Sequence, residues 1–139
     1  MPRPDFTGTW SFNRTKSTLQ IPAPDATLIV LDHREPLLRL SRTHTMGDKK
    51  DTFSLDLTTD GQEVSVVRDD LQLVARAHWD ADTLVCETRL LRAGTEATNA
   101  VRYSLETDRM SFVAVERFRS ASLNYDNIWI MDRVEPMGH

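Results

Sequence analysis

The sequence predicts a single all-β domain, folded as an up-and-down antiparallel β-barrel of about eight to ten strands over residues 5–136. Short runs of alternating apolar and polar residues are cut by turn residues about every ten positions. No segment has a convincing helical period of apolar residues. A series of hairpins with no helix to cover the sheet either forms two packed sheets or closes on itself, and closure removes the exposed edges.

The first half of the chain predicts five strands. In the first run, Trp10 and Phe12 alternate with polar residues. Pro22 and Pro24 exclude a regular helix or central strand from residues 15–25, which we interpret as a loop across one barrel end. The sequence Asp60-Gly61 favours a hairpin turn, because both residues tolerate positive φ. The predicted strands cover residues 8–13, 27–34, 37–45, 52–57 and 64–68.

The second half predicts five more strands, joined by short loops. Turn-forming residues separate the runs at 69–70, 80–82, 93–95, 106–109 and 120–122. Strands that follow one another through short connections pair with their neighbours, so a meander is expected. The predicted strands cover residues 71–79, 83–91, 99–105, 110–119 and 125–134.

Length, charge and composition exclude several classes of protein. The 139 residues suffice to bury a core without metals or disulfides. The net charge of −4 argues against a nucleic-acid partner, which requires clustered Lys and Arg. No apolar run approaches the roughly 18 residues of a membrane span. Cys86 is the single cysteine and is predicted to be a small buried apolar residue.

No signal peptide is visible at the start of the sequence. The sequence as it stands therefore indicates a cytoplasmic protein, and a secreted or periplasmic one if a leader has been removed. The oligomeric state is left open between monomer and homodimer.

Sequence motifs resemble those of calycin barrels. The segment at residues 5–10 is similar to the Gly-x-Trp motif on the first strand of lipocalins and fatty-acid-binding proteins, here Gly8-Thr9-Trp10. Residues 11–17, 79–85 and 115–117 are similar to a group of uncharacterised bacterial lipocalin-like domains. The resemblance implies a lipocalin-like barrel.

The same resemblance implies a structural role for two residues. In calycins the first-strand Trp packs at the closed end beneath a basic side chain from a late strand, which assigns Arg133 as the partner of Trp10, with Arg117 as second choice. The chain departs from fatty-acid-binding proteins in lacking two helices after the first strand. It also lacks the disulfide of secreted lipocalins and the glycine-rich opening of haem-binding nitrobindins. We predict no cofactor.

Alternation along the strands predicts the barrel interior. The apolar face is expected to point inward, and a few polar residues share its parity. Polar groups converging on an apolar cavity are typical of a small-molecule site. We therefore predict binding or carriage of a small, largely apolar molecule, with Arg42, His44 or Tyr125 fixing its polar end. The predicted ligand-binding residues are Leu40, Arg42, His44, Phe53, Leu55, Tyr103, Phe112, Phe118, Tyr125 and Trp129.

Two other functions fit the same pattern. A cofactor-free enzyme of the cyclase or isomerase type would use His44, Glu116 and Tyr125 for proton transfer. A structural barrel would have a solid core filled by aromatic residues. Arg42 and His44 could instead be solvated at the rim, and Glu116 is expected to form an ion pair with a nearby Arg.

Remaining polar residues suggest no metal site. His33 and His78 lie among polar neighbours and are expected to be solvated. The Asp pairs at 69–70 and at 80 and 82 fall in turns without calcium-loop spacing.

Overall fold

The computed structural model describes residues 4–134 and contains ten β-strands. Several strands alternate buried and exposed side chains, most clearly those at Ala26–Arg34 and Leu71–Asp80, as a half-buried sheet requires. The all-β prediction is confirmed. The strands are β1 (Gly8–Phe12), β2 (Ala26–Arg34), β3 (Leu37–Met46), β4 (Lys49–Thr58), β5 (Val64–Arg68), β6 (Leu71–Asp80), β7 (Thr83–Arg92), β8 (Thr95–Leu105), β9 (Ser111–Ser120) and β10 (Asn124–Arg133).

The strands form one antiparallel sheet that curls into a nearly closed up-and-down barrel. Their order is β4-β3-β2-β1-β10-β9-β8-β7-β6-β5. The first and last strands pair, with Trp10 opposite Arg133. β4 and β5 are the two edges, and the Arg68 guanidinium lies 2.8 Å from the Asp51 carboxylate across the gap between them. The predicted barrel topology is therefore confirmed, with one seam left open.

The predicted hairpin at Asp60-Gly61 is wrong, since β4 pairs with β3 and β5 pairs with β6. The connection between β4 and β5 is held at the closed end of the barrel instead. The Thr59 amide donates to the Pro36 carbonyl at 2.9 Å, and the Gly61 amide donates to the Ala77 carbonyl at 2.8 Å. These bonds carry the chain across to β6, so it does not turn back along β4.

Two strands begin earlier than predicted. β4 starts at Lys49 and β8 starts at Thr95, because two-residue turns at 47–48 and 93–94 replace the longer predicted ones. Positive φ angles of 62° at Gly47 and 78° at Gly94 permit these tight turns. The other predicted ends differ by one residue or agree, and residues 135–136 of the predicted domain lie outside the described range.

One end of the barrel is closed by aromatic packing. Phe6, Trp10 and Phe112 are fully buried, and the Trp10 and Phe112 rings meet edge to face at 4.9 Å. The Trp10 indole nitrogen donates to the Phe6 carbonyl at 3.0 Å, which fixes the segment before β1 beneath the barrel. The closed end is thus a solid plug.

The segment from residue 13 to residue 25 runs beside β10 on the side that β1 leaves free. Thr18 and Ile128 exchange two backbone hydrogen bonds of 2.7 and 2.9 Å. The Gln20 amide donates to the Asn127 side-chain oxygen at 2.8 Å. This segment was predicted as a loop across the barrel end, and its first half instead extends the wall between β2 and β10.

The described part of the chain has no helix long and apolar enough to cross a membrane.

Candidate ligand-binding site in the barrel interior

Above the aromatic plug the barrel holds a cavity of about 110 Å³. A cavity of this size holds several waters or an apolar group about the size of benzene. The interior is therefore not packed solid, contrary to the structural-barrel alternative. Its floor is apolar and comprises Ile29, Leu40, Leu55, Leu57, Ala75 and Ala114.

The cavity continues into a mouth of about 390 Å³. Arg42, Phe53, Thr88 and Asn99 line both spaces, so the two are contiguous. Together they fall in the range of about 300–1,000 Å³ that is typical of small-molecule sites.

Arg42 lies at the junction of the cavity and its mouth. Its guanidinium carbon lies 5.6 Å from the centre of the Phe53 ring. Its Nε is buried and has no hydrogen-bond partner among residues 4–134. The half-buried side chain thus brings a permanent cation and an unused donor to this junction.

Glu116 also faces this cavity and is held by three neutral donors. Its Oε1 accepts from the Asn127 amide at 2.8 Å and from the Trp129 indole at 2.9 Å, and its Oε2 accepts from the Asn99 amide at 2.9 Å. Three N–H groups directed at the two oxygens are complementary to a carboxylate.

The predicted ion pair between Glu116 and a neighbouring Arg is wrong. Strand alternation places Arg117 and Arg119 on the outer face, where both pair with Asp126 at 3.8 and 2.9 Å. Glu116 therefore has hydrogen-bond partners but no counterion among the described residues.

Asn99 supplies an unused acceptor to the same space. Its Nδ2 donates to Glu116, so its Oδ1 faces away from that carboxylate. This oxygen is buried and has no donor within the part of the chain that the structure describes. Buried polar groups are rarely left unpaired in native structures, so the site calls for a donor from a ligand or water.

His44 lies on the upper wall of the cavity. One ring nitrogen, Nδ1, lies 2.7 Å from the Thr27 hydroxyl, and the ring stacks on Trp129 with centroids 5.8 Å apart. Burial lowers the pKa of His44, with a further contribution from the Arg42 charge, while Asp51 and Glu116 oppose the shift. The imidazole is consequently neutral at pH 7.

Tyr103 and Cys86 face the cavity from β8 and β7. Burial raises the pKa of the Tyr103 hydroxyl above its ordinary value and the pKa of the Cys86 thiol to about 12. Both groups remain protonated at neutral pH. Cys86 is buried as predicted and does not have the properties of a nucleophile.

Seven of the ten predicted ligand-binding residues line the cavity, and three lie elsewhere. Phe112 lies below the floor in the aromatic plug. Phe118 and Tyr125 stack with centroids 4.8 Å apart, and Phe118 lines an outer space at the mouth. The residues on the cavity wall are Leu40, Arg42, His44, Phe53, Leu55, Tyr103 and Trp129.

The three residues predicted for proton transfer are not assembled as a catalytic group. His44 and Glu116 line the cavity, whereas Tyr125 does not. No hydrogen bond within residues 4–134 joins any two of them, because His44 is bonded to Thr27 and Glu116 to three amide or indole donors. The geometry gives no support to an acid–base mechanism here.

At the closed end, the Arg133 guanidinium carbon lies 4.2 Å from the centre of the Trp10 ring. Its Nε and Nη1 donate to the carbonyls of Arg109 and Thr7, both at 3.0 Å. Arg117, the second choice for this position, lies on the outer face.

Sequence reasoning missed two sets of polar residues. Thr88 and Asn99 share the parity of the predicted inward residues, and that signal could have identified them. His33 was expected to be solvated but is buried, with its Nε2 2.9 Å from Glu35 Oε1. Glu35 Oε2 also accepts from Thr59 at 2.8 Å and Trp79 at 2.9 Å, and these bonds link the segments at the closed end.

In the described ranges no three His, Cys, Asp or Glu side chains are grouped to hold a metal ion.

The fold is a ten-stranded, nearly closed up-and-down barrel, which matches calycin and lipocalin-like folds. No family model and no curated protein matches the chain. Solved structures do match it in fold.

A secretory abundant heat soluble protein from Ramazzottius varieornatus has a TM-score of 0.66 and 7% identity, over 92% of this chain and 94% of that one. Secretory abundant heat soluble protein 4 from the same organism has a TM-score of 0.60 and 14% identity, over 97% and 99%. Zebrafish ileal bile acid-binding protein, complexed with cholic acid, has a TM-score of 0.60 and 9% identity, over 93% and 98%. At these identities the similarity shows the fold alone.

Proposed function

We propose that this barrel binds or carries a small, largely apolar molecule in its interior cavity. The observation that carries the proposal is the cavity itself, with an apolar floor and an unpaired Arg42 Nε at the level of the mouth. The zebrafish protein with a similar fold is named for binding a bile acid, which supports the same type of function here. Fold similarity alone would not establish it.

The division of the cavity wall favours an amphipathic ligand. The cavity floor is lined by aliphatic side chains, so an alkyl or aromatic group placed there loses contact with water at no polar cost. At the level of the mouth, Arg42 and Asn99 offer hydrogen bonds that water or a ligand can complete. The apolar part of the ligand would then occupy the floor and its polar part the upper wall.

The motifs at residues 11–17, 79–85 and 115–117 support membership in the group of bacterial lipocalin-like domains, which stays a prediction. It points to the same type of binding barrel.

A fluorescence titration with 1-aminoanthracene tests the proposal. The probe is expected to bind with saturable enhancement, because an aromatic ring of this size suits the cavity and mouth. Ala114→Leu projects three extra carbons from the floor and is expected to weaken binding about tenfold or more. Ala100→Leu is the matched control, since Ala100 lies on the opposite face of the adjacent strand β8.

Circular dichroism and thermal melts establish that both variants fold. Equal probe binding by wild type and Ala114→Leu would place the probe outside the barrel and refute the proposal. Absence of saturable binding to the folded wild type would do the same.

A further inference from the structure

We propose that the ligand of this cavity has an uncharged head group that both accepts and donates hydrogen bonds, such as a carboxamide or hydroxyl, and that a carboxylate is disfavoured. This inference rests on the proposed function, because it names the chemistry of the ligand for the same site. Three observations lead to it: an unused donor, an unused acceptor and a balance of charge.

The unused donor is the Nε of Arg42. It is buried where the cavity meets its mouth, and residues 4–134 provide no acceptor for it. A buried N–H without a partner is costly, so a ligand oxygen that reaches it gains affinity. Taken alone, this cationic donor would favour a carboxylate over a neutral carbonyl oxygen, because the bond would be charge-assisted, so the other two observations decide the preference.

The unused acceptor is the Oδ1 of Asn99, and its orientation follows from Glu116. The two oxygens of the Glu116 carboxylate can only accept, so the Asn99 amide must turn its NH₂ toward Glu116, 2.9 Å away. The Asn99 carbonyl oxygen is thereby left without a donor, and Asn99 lines the same two spaces as Arg42. A carboxylate cannot donate to this oxygen, whereas a carboxamide or a hydroxyl can.

The charge of the site is already balanced. Arg42 contributes one positive charge and Glu116 one negative charge, while neutral His44 adds none. Of the other charged groups that line the mouth, Arg68 pairs with Asp51 at 2.8 Å and Arg92 pairs with the neighbouring Asp70 at 3.1 Å, while Asp69 adds a negative charge. An anionic ligand would bring a second negative charge near Glu116 in a partly desolvated space, which opposes its binding.

Competition against 1-aminoanthracene with a matched series tests the inference. Octanamide, octan-1-ol and octanoate share the same alkyl length and differ in the head group. Wild type is expected to bind octanamide about tenfold or more tightly than octanoate at pH 7.5, because only the amide satisfies both Arg42 and Asn99. Octan-1-ol, a single oxygen, is expected to lie between them.

Glu116→Gln is expected to reverse the preference. The substitution removes the negative charge, and the new side-chain NH₂ lets Asn99 flip, so that its own NH₂ faces the cavity beside Arg42. The site then has two donors and a net positive charge. The ratio of octanoate to octanamide affinity is expected to rise about tenfold or more relative to wild type.

Arg42→Met has a matched control on the same strand. Arg39→Met removes an outward arginine of β3 that pairs with Asp56, and it is expected to leave octanamide binding unchanged. Arg42→Met is expected to weaken octanamide binding about fivefold or more.

The outcomes separate the two proposals. If wild type binds the apolar probe but prefers octanoate over octanamide, the inference about the head group is wrong and the binding function stands. An unchanged preference in folded Glu116→Gln also contradicts the inference. If neither the probe nor any member of the series binds, the proposed function fails and the inference fails with it.

Discussion

Glu116 shows how a single residue determines the character of the interior. A carboxylate removed from water is costly unless hydrogen bonds replace its solvation, and here Asn99, Asn127 and Trp129 supply three. Asn127 is fully buried and accepts from Gln20, so the segment beside β10 is linked to the cavity wall. The polar groups of the interior therefore form one connected network that orients Asn99.

Gly8 is required beneath Arg133. Its φ is +148°, and a Cβ there would lie 2.6 Å from Arg133 Nη1, which donates to the Thr7 carbonyl. We expect Gly8→Ala to lower the free energy of unfolding by about 1–3 kcal/mol, from backbone strain and displacement of the guanidinium. Urea denaturation measures the change. In an Arg133→Met background, Gly8→Ala should lower the free energy of unfolding by less, because the clash with the Arg133 guanidinium is absent. An equal loss in both backgrounds would contradict this explanation.

Glu35 makes stability depend on pH at the closed end. Burial raises its pKa, but hydrogen bonds from His33, Thr59 and Trp79 outweigh that and hold the pKa below its ordinary value of 4.5. A lowered pKa contributes stability above the unfolded-state value, and this contribution is lost as the pH falls through the folded-state value. Glu35→Gln is therefore expected to destabilise the protein at pH 7, with the difference from wild type shrinking as the pH falls below 4.5.

Unfolding by urea at several pH values checks this dependence on Glu35. Glu106→Gln is the control, because Glu106 is exposed and its side chain has no hydrogen bond among those found in the described residues. A difference between wild type and Glu35→Gln that stays constant from pH 7 to about pH 3 would rule out the assigned role.

At the scale of elements, the sequence predicts strands well and the seam poorly. Alternation and turn residues locate all ten strands, because each signal is local to its segment. The pairing of β4 and β5 is not local: Asp60-Gly61 favours a hairpin, yet bonds from Thr59 to Pro36 and from Gly61 to Ala77 separate the two strands. Those partners are distant in sequence, so no local pattern indicates them.

The seam predicts uneven hydrogen exchange. β4 and β5 each pair on one side only, whereas β9 and β10 lie inside the sheet with partners on both sides. Amide protons of β4 and β5 that point toward the gap are expected to exchange about tenfold or more faster than those of β9. Native-state exchange followed by NMR measures this. Uniform protection across β4, β5 and β9 would indicate that the seam is closed in solution.

At the scale of the whole molecule, the barrel is divided into a stabilising plug and a binding cavity. Strand parity places most of the interior residues, since inside and outside alternate strictly along each strand. Parity does not reveal which side chains meet across the barrel. The hydrogen bonds of Glu116, and the position of Phe112 in the plug below the cavity, could therefore not be derived from the sequence.

The division predicts different effects of two phenylalanine substitutions. Phe112 is fully buried in the plug, so Phe112→Ala is expected to lower the free energy of unfolding by about 3–5 kcal/mol. Phe53 is half-buried and already faces the cavity, so Phe53→Ala should cost less, about 1–2 kcal/mol, while weakening 1-aminoanthracene binding. Urea denaturation and probe titration measure the two effects. Equal loss of stability in both variants would contradict the division.

The central claim is that an apolar ligand occupies the interior of this barrel. The most direct test is a set of intermolecular nuclear Overhauser effects between octanamide and the methyl groups of the labelled protein. We predict contacts from the alkyl chain to Leu40, Leu55 and Leu57 on the cavity floor. Contacts confined to the outward-facing Leu28 and Val30, which are exposed on β2, would show that the ligand adheres to the outer surface and would contradict the claim.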